Sequence, residues 1–230
     1  RELGNPQDDL KFIHIAGTNG KGSVLAYTSM ILSKAGYKTG RYVSPTVISY
    51  LEKIQIDGKW ISESEFAEIM EEIKEAIDRL VCKGEPVPTV FEVETAMAFL
   101  YFKKQKCDLV VLETGLGGET DATNVIKNTV CAVFATISVD HLGVIGDTLE
   151  EIAAEKAAII APGKPSVTAV QHPGVMAVIE RTAQNRRSPL TIARADRKTP
   201  MPSLPGAHQR ENAALALETM RRLHALPSPA

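Results

Sequence analysis

A glycine-rich heptapeptide, Gly17-Thr18-Asn19-Gly20-Lys21-Gly22-Ser23, carries the residue types that hold a phosphate group. Its glycines let backbone amides approach an anion, Lys21 supplies a cation for the outer phosphates, and Ser23 offers a hydroxyl to a magnesium ion. The common phosphate-binding loop has Ser or Thr directly after Lys, whereas Gly22 intervenes here. We interpret the segment as a site for a nucleoside triphosphate. The alternative is a tight strand-to-helix turn, which accounts for the glycines but not for the lysine between two of them.

A carboxylate follows at the end of a second apolar segment. The run Leu109-Val110-Val111-Leu112 is typical of a buried strand and delivers Glu113 directly before a glycine-rich turn. In open α/β sheets, ligands gather at the carboxyl ends of the strands, and carboxylate oxygens suit Mg²⁺. Glu113 is therefore a candidate metal ligand; the alternative is a strand-end carboxylate solvated at the surface.

The spacing of apolar residues predicts the elements that hold these groups. Residues 11–16 are expected to form a buried strand, residues 22–35 a helix ended by Gly36, and Arg41-Tyr42-Val43 the start of a second extended segment. Further elements are a hairpin around Asp57-Gly58-Lys59, helices with capping boxes at Ser62/Glu65 and Thr148/Glu151, a helix over Val93–Tyr101, a strand over 130–137 and a last helix from about Glu211 to Leu223.

The helix after Thr148 is expected to carry Ile152, Ile159 and Ile160, and a Pro-rich break is expected over residues 197–206. The alternation of strands and helices predicts an α/β fold. Its sheet should be doubly wound and mostly parallel, in three αβα layers, with the phosphate-binding loop at a strand end.

The composition indicates which kinds of molecule this protein can bind. The formal net charge is only −2, so the chain has no broad basic face for nucleic acid. Three widely spaced cysteines lack the paired spacing of zinc or redox motifs, and no apolar segment is long enough to span a bilayer. We expect a cytoplasmic protein that binds small molecules, with neither nucleic acid nor membrane as a partner.

Several segments together resemble one family, the folylpolyglutamate synthase and dihydrofolate synthase branch of the Mur-type ATP-dependent amide ligases. The resemblance is collinear across most of the chain, and so many motifs in order are highly specific. The matching segments are Gly17 to Ser23, Ser44-Pro45, Pro88 to Glu92, Glu113 to Gly118, Asp121 to Val125, Asp140-His141, Glu155-Lys156-Ala157, His208-Gln209 and Asn212-Ala213.

The resemblance implies a ligase that uses MgATP, with two magnesium ions, to phosphorylate a folate or dihydropteroate carboxylate before L-glutamate displaces the phosphate. By the family pattern, Ser23 and Glu113 hold one magnesium ion and His141 coordinates a second. Lys156 corresponds to a lysine that is carried as a carbamate beside the metal; the alternative is a helix-surface lysine paired with an acid. The resemblance thus implies that Lys21, His141 and Lys156 are the catalytic residues.

The resemblance also implies the organic contacts. Asn212 is implied to contact adenine; the alternative is that it only caps the last helix. Ser44, Pro45, Thr89, Phe91, Asp121 and Ala122 are implied to contact the pterin side of the substrate. From the residues alone, Phe91 is equally a core aromatic, and Asp121 equally organises a turn.

The resemblance assigns residues 1–230 to the P-loop ATP-binding central domain. It also implies that a glutamate-binding domain, C-terminal in the family, lies outside this chain, and that a stretch is missing near residues 197–206. Family members are typically monomers, which is the expectation here. Two alternatives remain: a nucleotide-binding module without ligation, or a Mur ligase of cell-wall synthesis. The order of motifs leaves open whether the first glutamate or a later one is added.

Overall fold

A computed structural model describes residues 1–139 and 145–223. Its strands are β1 Phe12–Ala16, β2 Thr39–Tyr42, β3 Ile54–Ile56, β4 Lys59–Trp60, β5 Leu109–Glu113, β6 Thr129–Phe134, β7 Ser166–Thr168 and β8 Leu190–Ile192. Its α-helices are α1 Lys21–Lys34, α2 Glu63–Cys82, α3 Val90–Lys104, α4 Leu149–Ala157, α5 Pro173–Asn185 and α6 His208–Arg222. Within these two described ranges, no helix combines the length and apolarity needed to cross a membrane.

The strands form one sheet in the order β4-β3-β2-β5-β1-β6-β7-β8. Six neighbouring strands from β2 to β8 pair in parallel, and the β3–β4 hairpin adds an antiparallel edge. The chain leaves β1 toward β2 on one side and later fills β6, β7 and β8 on the other. The carboxyl end of β1 is therefore at a topological switch point, where ligands of such sheets bind.

Alternate residues of β1 face two helical layers. Ile13 and Ile15 belong to a core packed by α1 and α6, whereas Phe12 and Ala16 belong to cores packed by α2 with α3 and by α4 with α5. Period-2 alternation in a strand produces this division. The prediction of a doubly wound, mostly parallel sheet in three αβα layers is confirmed.

Local sequence signals account for several boundaries. Capping boxes begin α2 at Ser62, α3 at Thr89 and α4 at Thr148, each with a glutamate three residues on. The β3–β4 turn places Asp57 at φ 49° and Gly58 at φ 78°, the left-handed backbone that a two-residue hairpin turn requires.

Three boundary predictions are wrong. Helix α4 ends at Ala157, so Ile159 and Ile160 lie beyond it and are buried as part of the following turn. Strand β6 ends at Phe134 rather than at residue 137, because the chain there turns to contact the phosphate-binding loop. Helix α6 begins at His208, with Ala207 as its N-cap residue, so Asn212 does not cap it.

Candidate phosphate-binding site

The glycine-rich loop joins β1 to α1 and is held from one side. The backbone N–H groups of Thr18 and Asn19 both donate to the carbonyl of Thr136, at 2.9 and 3.1 Å. The Thr18 hydroxyl donates to the carbonyl of Ser138 at 3.0 Å, and the Ser138 N–H returns a bond to that hydroxyl. These bonds fix the first half of the loop to the segment after β6.

The second half of the loop opens onto the start of α1. Gly20 is the N-cap residue, at φ 90°, and it provides no side-chain cap. The first amides of a helix have no intrahelical partner, so those of Lys21, Gly22 and Ser23 are available to an anion, and the helix dipole favours negative charge there. A Cβ atom on Gly20 would lie 2.7 Å from Oδ1 of Asn212 and would occupy a left-handed backbone, so glycine is favoured at this position.

Lys21 lies between the loop and the end of β5. Its ammonium donates to the carbonyl of Gly17 at 3.1 Å and is 3.8 Å from Oε1 of Glu113. The lysine of the first motif and the strand-end carboxylate of the second are thus neighbours.

Glu113 is almost completely buried, with 4% of its surface exposed. Burial raises the pKa of its carboxyl to about 7, while Lys21, the backbone N–H of Ser44 and Arg41 act in the opposite direction. Its Oε2 has no hydrogen-bond partner among the described residues, and it lies 3.9 Å from the position of a Cβ atom on Gly22. A buried carboxylate oxygen without a partner is costly and suits a hard cation, so this group fits Mg²⁺.

Helix α6 closes the other side of the loop. The side-chain amide of Gln209 donates to the hydroxyl of Ser23 at 3.2 Å, while its Oε1 accepts from the Tyr27 hydroxyl at 2.9 Å and from Nδ2 of Asn212 at 3.2 Å. The Ser23 hydroxyl is therefore in contact with α6.

A cleft of about 480 Å³ runs beside the loop. It is lined by residues 18–22 of the loop, by Val43, Ser44, Pro45 and Val47 of the segment after β2, and by Arg41 and Glu113. The structure thus brings Ser44 and Pro45 together with the phosphate-binding loop. Glu52 fixes the segment after Pro45 by accepting from the backbone of Val47 and Ile48, and both apolar side chains are more than four-fifths exposed.

Thr89 and Phe91, which the resemblance assigns to the substrate, contact other parts of the protein at the start of α3. Thr89 is the N-cap of α3 and donates its hydroxyl to Glu92. Phe91 packs 6.1 Å from the ring of Tyr42, and a Cβ atom on Gly115 would lie 2.4 Å from its Cζ. Phe91 therefore supports the glycine-rich turn after β5.

Asp121 organises the turn that follows. Its Oδ2 accepts from the backbone of Leu116 at 2.7 Å, and its Oδ1 accepts from the backbone and the hydroxyl of Thr123. Ala122 begins the short 3₁₀ helix Ala122–Val125 that Asp121 caps. The Thr123 hydroxyl also lies 2.8 Å from Nε2 of His14, which connects the turn to the central strand β1.

Lys156 is buried on α4, with 3% of its surface exposed. It lies behind the glycine-rich turn, since a Cβ atom on Gly118 would be 3.1 Å from Cα of Lys156. Asp140 and His141 lie outside the described residues. Within the described ranges, no group of three or more His, Cys, Asp and Glu side chains is arranged to hold a metal ion.

Two residues of this site are not predicted from the sequence. Gln209 enters only as part of a motif, because its contact with Ser23 joins positions 186 residues apart. Arg41 is predicted only as part of an extended segment. Its one signal is an arginine in the strand that precedes Ser44, and the direction of its side chain depends on the register of β2.

Comparisons with known proteins agree with this geometry. A family model described as Mur ligase middle domain matches residues 15–200. The dihydrofolate synthase/folylpolyglutamate synthase of Bacillus subtilis is 38% identical over 242 residues, covering 94% of this chain and 55% of that protein. The resemblance that the motifs indicated is therefore confirmed.

Solved structures share the fold. An FPGS–AMPPCP–folate complex is 31% identical with a TM-score of 0.90, covering 96% of this chain and 59% of that one. Mycobacterium tuberculosis folylpolyglutamate synthase, complexed with ADP and AMPPCP, is 34% identical with a TM-score of 0.88, covering 96% and 56%. The chain spans about half the length of the B. subtilis relative and of these two structures.

Proposed function

Because this chain belongs to the family of Mur ligase middle domains, we propose that it binds MgATP and activates the carboxylate of a folate or dihydropteroate for amide formation with L-glutamate. One observation carries the proposal: the phosphate-binding loop and the buried, partly unpaired carboxylate of Glu113 line a single cleft. The activities named for the relatives support the choice of substrates.

The chemistry begins with transfer of the γ-phosphoryl group. A carboxylate oxygen of the substrate bonds to the γ-phosphorus as the bond from that phosphorus to the bridging oxygen of ADP breaks. The amine of glutamate then attacks the acyl carbon, and phosphate leaves. The first step depends mainly on positioning and on neutralising charge, which the amides at the start of α1 and the ammonium of Lys21 supply. Asn212, beside Gly20, is proposed to contact adenine.

Magnesium bound with the nucleotide would neutralise phosphate charge. The fit rests on the orphaned Oε2 of Glu113, with the Ser23 hydroxyl as a second oxygen donor. We propose His141 as the ligand of a second ion. A carbamate on Lys156 would convert a buried cation into an anion suited to a neighbouring metal, and the burial of Lys156 supports this modification.

The organic part of the substrate is proposed to lie against the segment after β2. Ser44 and Pro45 of this segment line the cleft, and the exposed apolar side chains of Val47 and Ile48 offer contact to a flat ring. Phe91 and Asp121 support the glycine-rich turn after β5 through the packing and turn contacts described above. Thr89 caps the helix that carries Phe91, and Ala122 begins the short helix that Asp121 caps. We propose substrate contact for all four residues.

The test measures ADP release by the full-length gene product with Mg²⁺, ATP and either dihydropteroate or tetrahydrofolate. Hydroxylamine replaces glutamate, so that an acyl phosphate is trapped as a hydroxamate without the amino-acid site. We expect ADP and hydroxamate in equal amounts, and a glutamylated product when glutamate is supplied. ATP binding without either product from any carboxylate would indicate a nucleotide-binding module instead.

A further inference from the structure

Arg41 is a cation of the cleft for which neither the motifs nor the comparisons provide a role. On β2, Gly40 faces α3, where a Cβ atom would lie 2.8 Å from the ring of Phe102, so Arg41 faces the opposite layer, toward α1. It pairs in register with Val111 of β5, two residues before Glu113 on the same face. The side chain of Arg41 therefore lies in the same layer as Glu113 and lines the same cleft.

The surroundings of Arg41 favour an anionic ligand. Its Nε is buried with no hydrogen-bond partner among the described residues. Burial lowers the pKa of the guanidinium, while the charges of Glu113 and Glu52 counteract this effect, so it stays charged. Glu52 already accepts from the backbone of Val47 and Ile48, and Glu113 is adjacent to Lys21. The Arg41 guanidinium therefore keeps N–H donors that a ligand can bind.

We propose that Arg41 binds the substrate carboxylate that accepts the phosphoryl group. This inference rests on the proposed function. Arg41 extends from the strand that leads into Ser44 and Pro45, and it lines the same cleft as the loop amides and Lys21, which are proposed to serve the phosphates. The planar fork of arginine matches a carboxylate with two parallel hydrogen bonds. Its charge reduces the repulsion between the carboxylate and the γ-phosphate, and the arginine remains protonated while the oxygen–phosphorus bond forms.

The test compares Arg41→Met and Arg41→Lys in the full-length gene product by the hydroxamate assay. We expect Arg41→Met to raise the KM for the carboxylate substrate at least tenfold, as for the loss of a charge-assisted hydrogen bond, and to change the KM for MgATP less than twofold. Arg41→Lys should give an intermediate KM, because an ammonium keeps the charge without the fork.

Arg79→Met is the matched control, because Arg79 is half-exposed on α2 and pairs with Glu2 away from the cleft. It should leave both KM values unchanged, and melting temperatures identify any variant that has lost its fold. If Arg41→Met melts normally but leaves the carboxylate KM unchanged, or raises the KM for MgATP equally, the inference is wrong. If Arg41→Met fails to fold, the KM values of Arg41→Lys for the carboxylate substrate and for MgATP test the inference in the same way. A wild-type protein inactive with every carboxylate overturns the proposed function instead.

Discussion

The side-chain amide of Gln209, in α6, donates to the hydroxyl of Ser23, in α1, at 3.2 Å. The orientation of that amide is fixed because Tyr27 and Asn212 both donate to its Oε1. Gln209 is therefore a positioning residue, which holds the Ser23 hydroxyl against α6. This contact joins the phosphate-binding loop to α6.

Replacing Gln209 with Leu should raise the KM for MgATP about tenfold, because a hydrogen bond to a residue of the nucleotide loop is lost. The KM for the carboxylate substrate should not change. Gln184→Leu is the control, since Gln184 is exposed on α5. A double-mutant cycle with Ser23→Ala checks the contact itself: the two losses should not add, and full additivity would show that the residues act independently.

Replacing Lys21 with Met should lower the rate of ADP release on the order of 10²-fold or more, as for the loss of a preorganised donor to developing charge. The exposed helix residue Lys74, replaced with Met, should retain the wild-type rate. Steady-state kinetics with saturating MgATP provide the comparison. Equal rates for the two variants would remove Lys21 from the phosphoryl-transfer step.

Gly20→Ala should weaken nucleotide binding more than tenfold. The new Cβ atom would lie 2.7 Å from Oδ1 of Asn212 and would occupy a backbone at φ 90°. Gly84→Ala separates the two effects, because Gly84 has φ 76° with no atom within 4 Å of the added Cβ. Both variants should lose about 1 kcal/mol of stability from backbone strain, and only Gly20→Ala should raise the Kd for MgATP in calorimetry. A normal Kd for Gly20→Ala would contradict the close packing of Asn212 on the loop.

Neutral His14 should make the fold sensitive to acid. Burial lowers the pKa of its imidazole to about 3, against about 6.5 in an unfolded chain. Between these values the unfolded state binds the extra proton, so stability is complete above pH 6.5 and falls as the pH decreases. From pH 7 to pH 5 the loss should be about 2 kcal/mol. The measurement is the free energy of unfolding in urea, at pH 7 and at pH 5, for wild type and His14→Gln. The variant should lack the decrease in stability that the protonation of His14 causes. An equal decrease in both proteins would exclude His14 as its source.

Lys156→Glu should retain more activity than Lys156→Met, because glutamate supplies an anion where a carbamate is proposed. Wild-type protein equilibrated with ¹³C-labelled bicarbonate should give a carbamate carbon signal in NMR that is absent from Lys156→Met. A wild-type spectrum without this signal, together with equal activity of the two variants, would leave Lys156 as an unmodified buried lysine.

Much of this site was predictable because its parts are local in sequence. The loop is seven consecutive residues, and Glu113 ends an apolar run, so both are recognisable without tertiary information. The capping boxes at Ser62 and Thr148 and the Asp57-Gly58 turn are likewise read from neighbouring residues.

Three elements, β7, β8 and α5, are not predicted from the sequence. Strands β7 and β8 have three residues each, too few for an alternation to be recognised. Helix α5 has a local signal, with Pro173 at its first position and Val175, Val178 and Ile179 among its buried residues. The Gln209–Ser23 bond and the direction of Arg41 follow from helix packing and strand register, which no local pattern specifies.

In the proposed reaction, a carboxylate oxygen of the substrate attacks the γ-phosphorus of ATP at this cleft. The decisive measurement uses a substrate whose carboxylate carries ¹⁸O at both oxygens, incubated with the full-length gene product, MgATP and glutamate. We expect one ¹⁸O atom in each molecule of phosphate released, because the oxygen that bonds to phosphorus leaves with it. Glutamylated product formed with unlabelled phosphate would show that the carboxylate does not attack phosphorus.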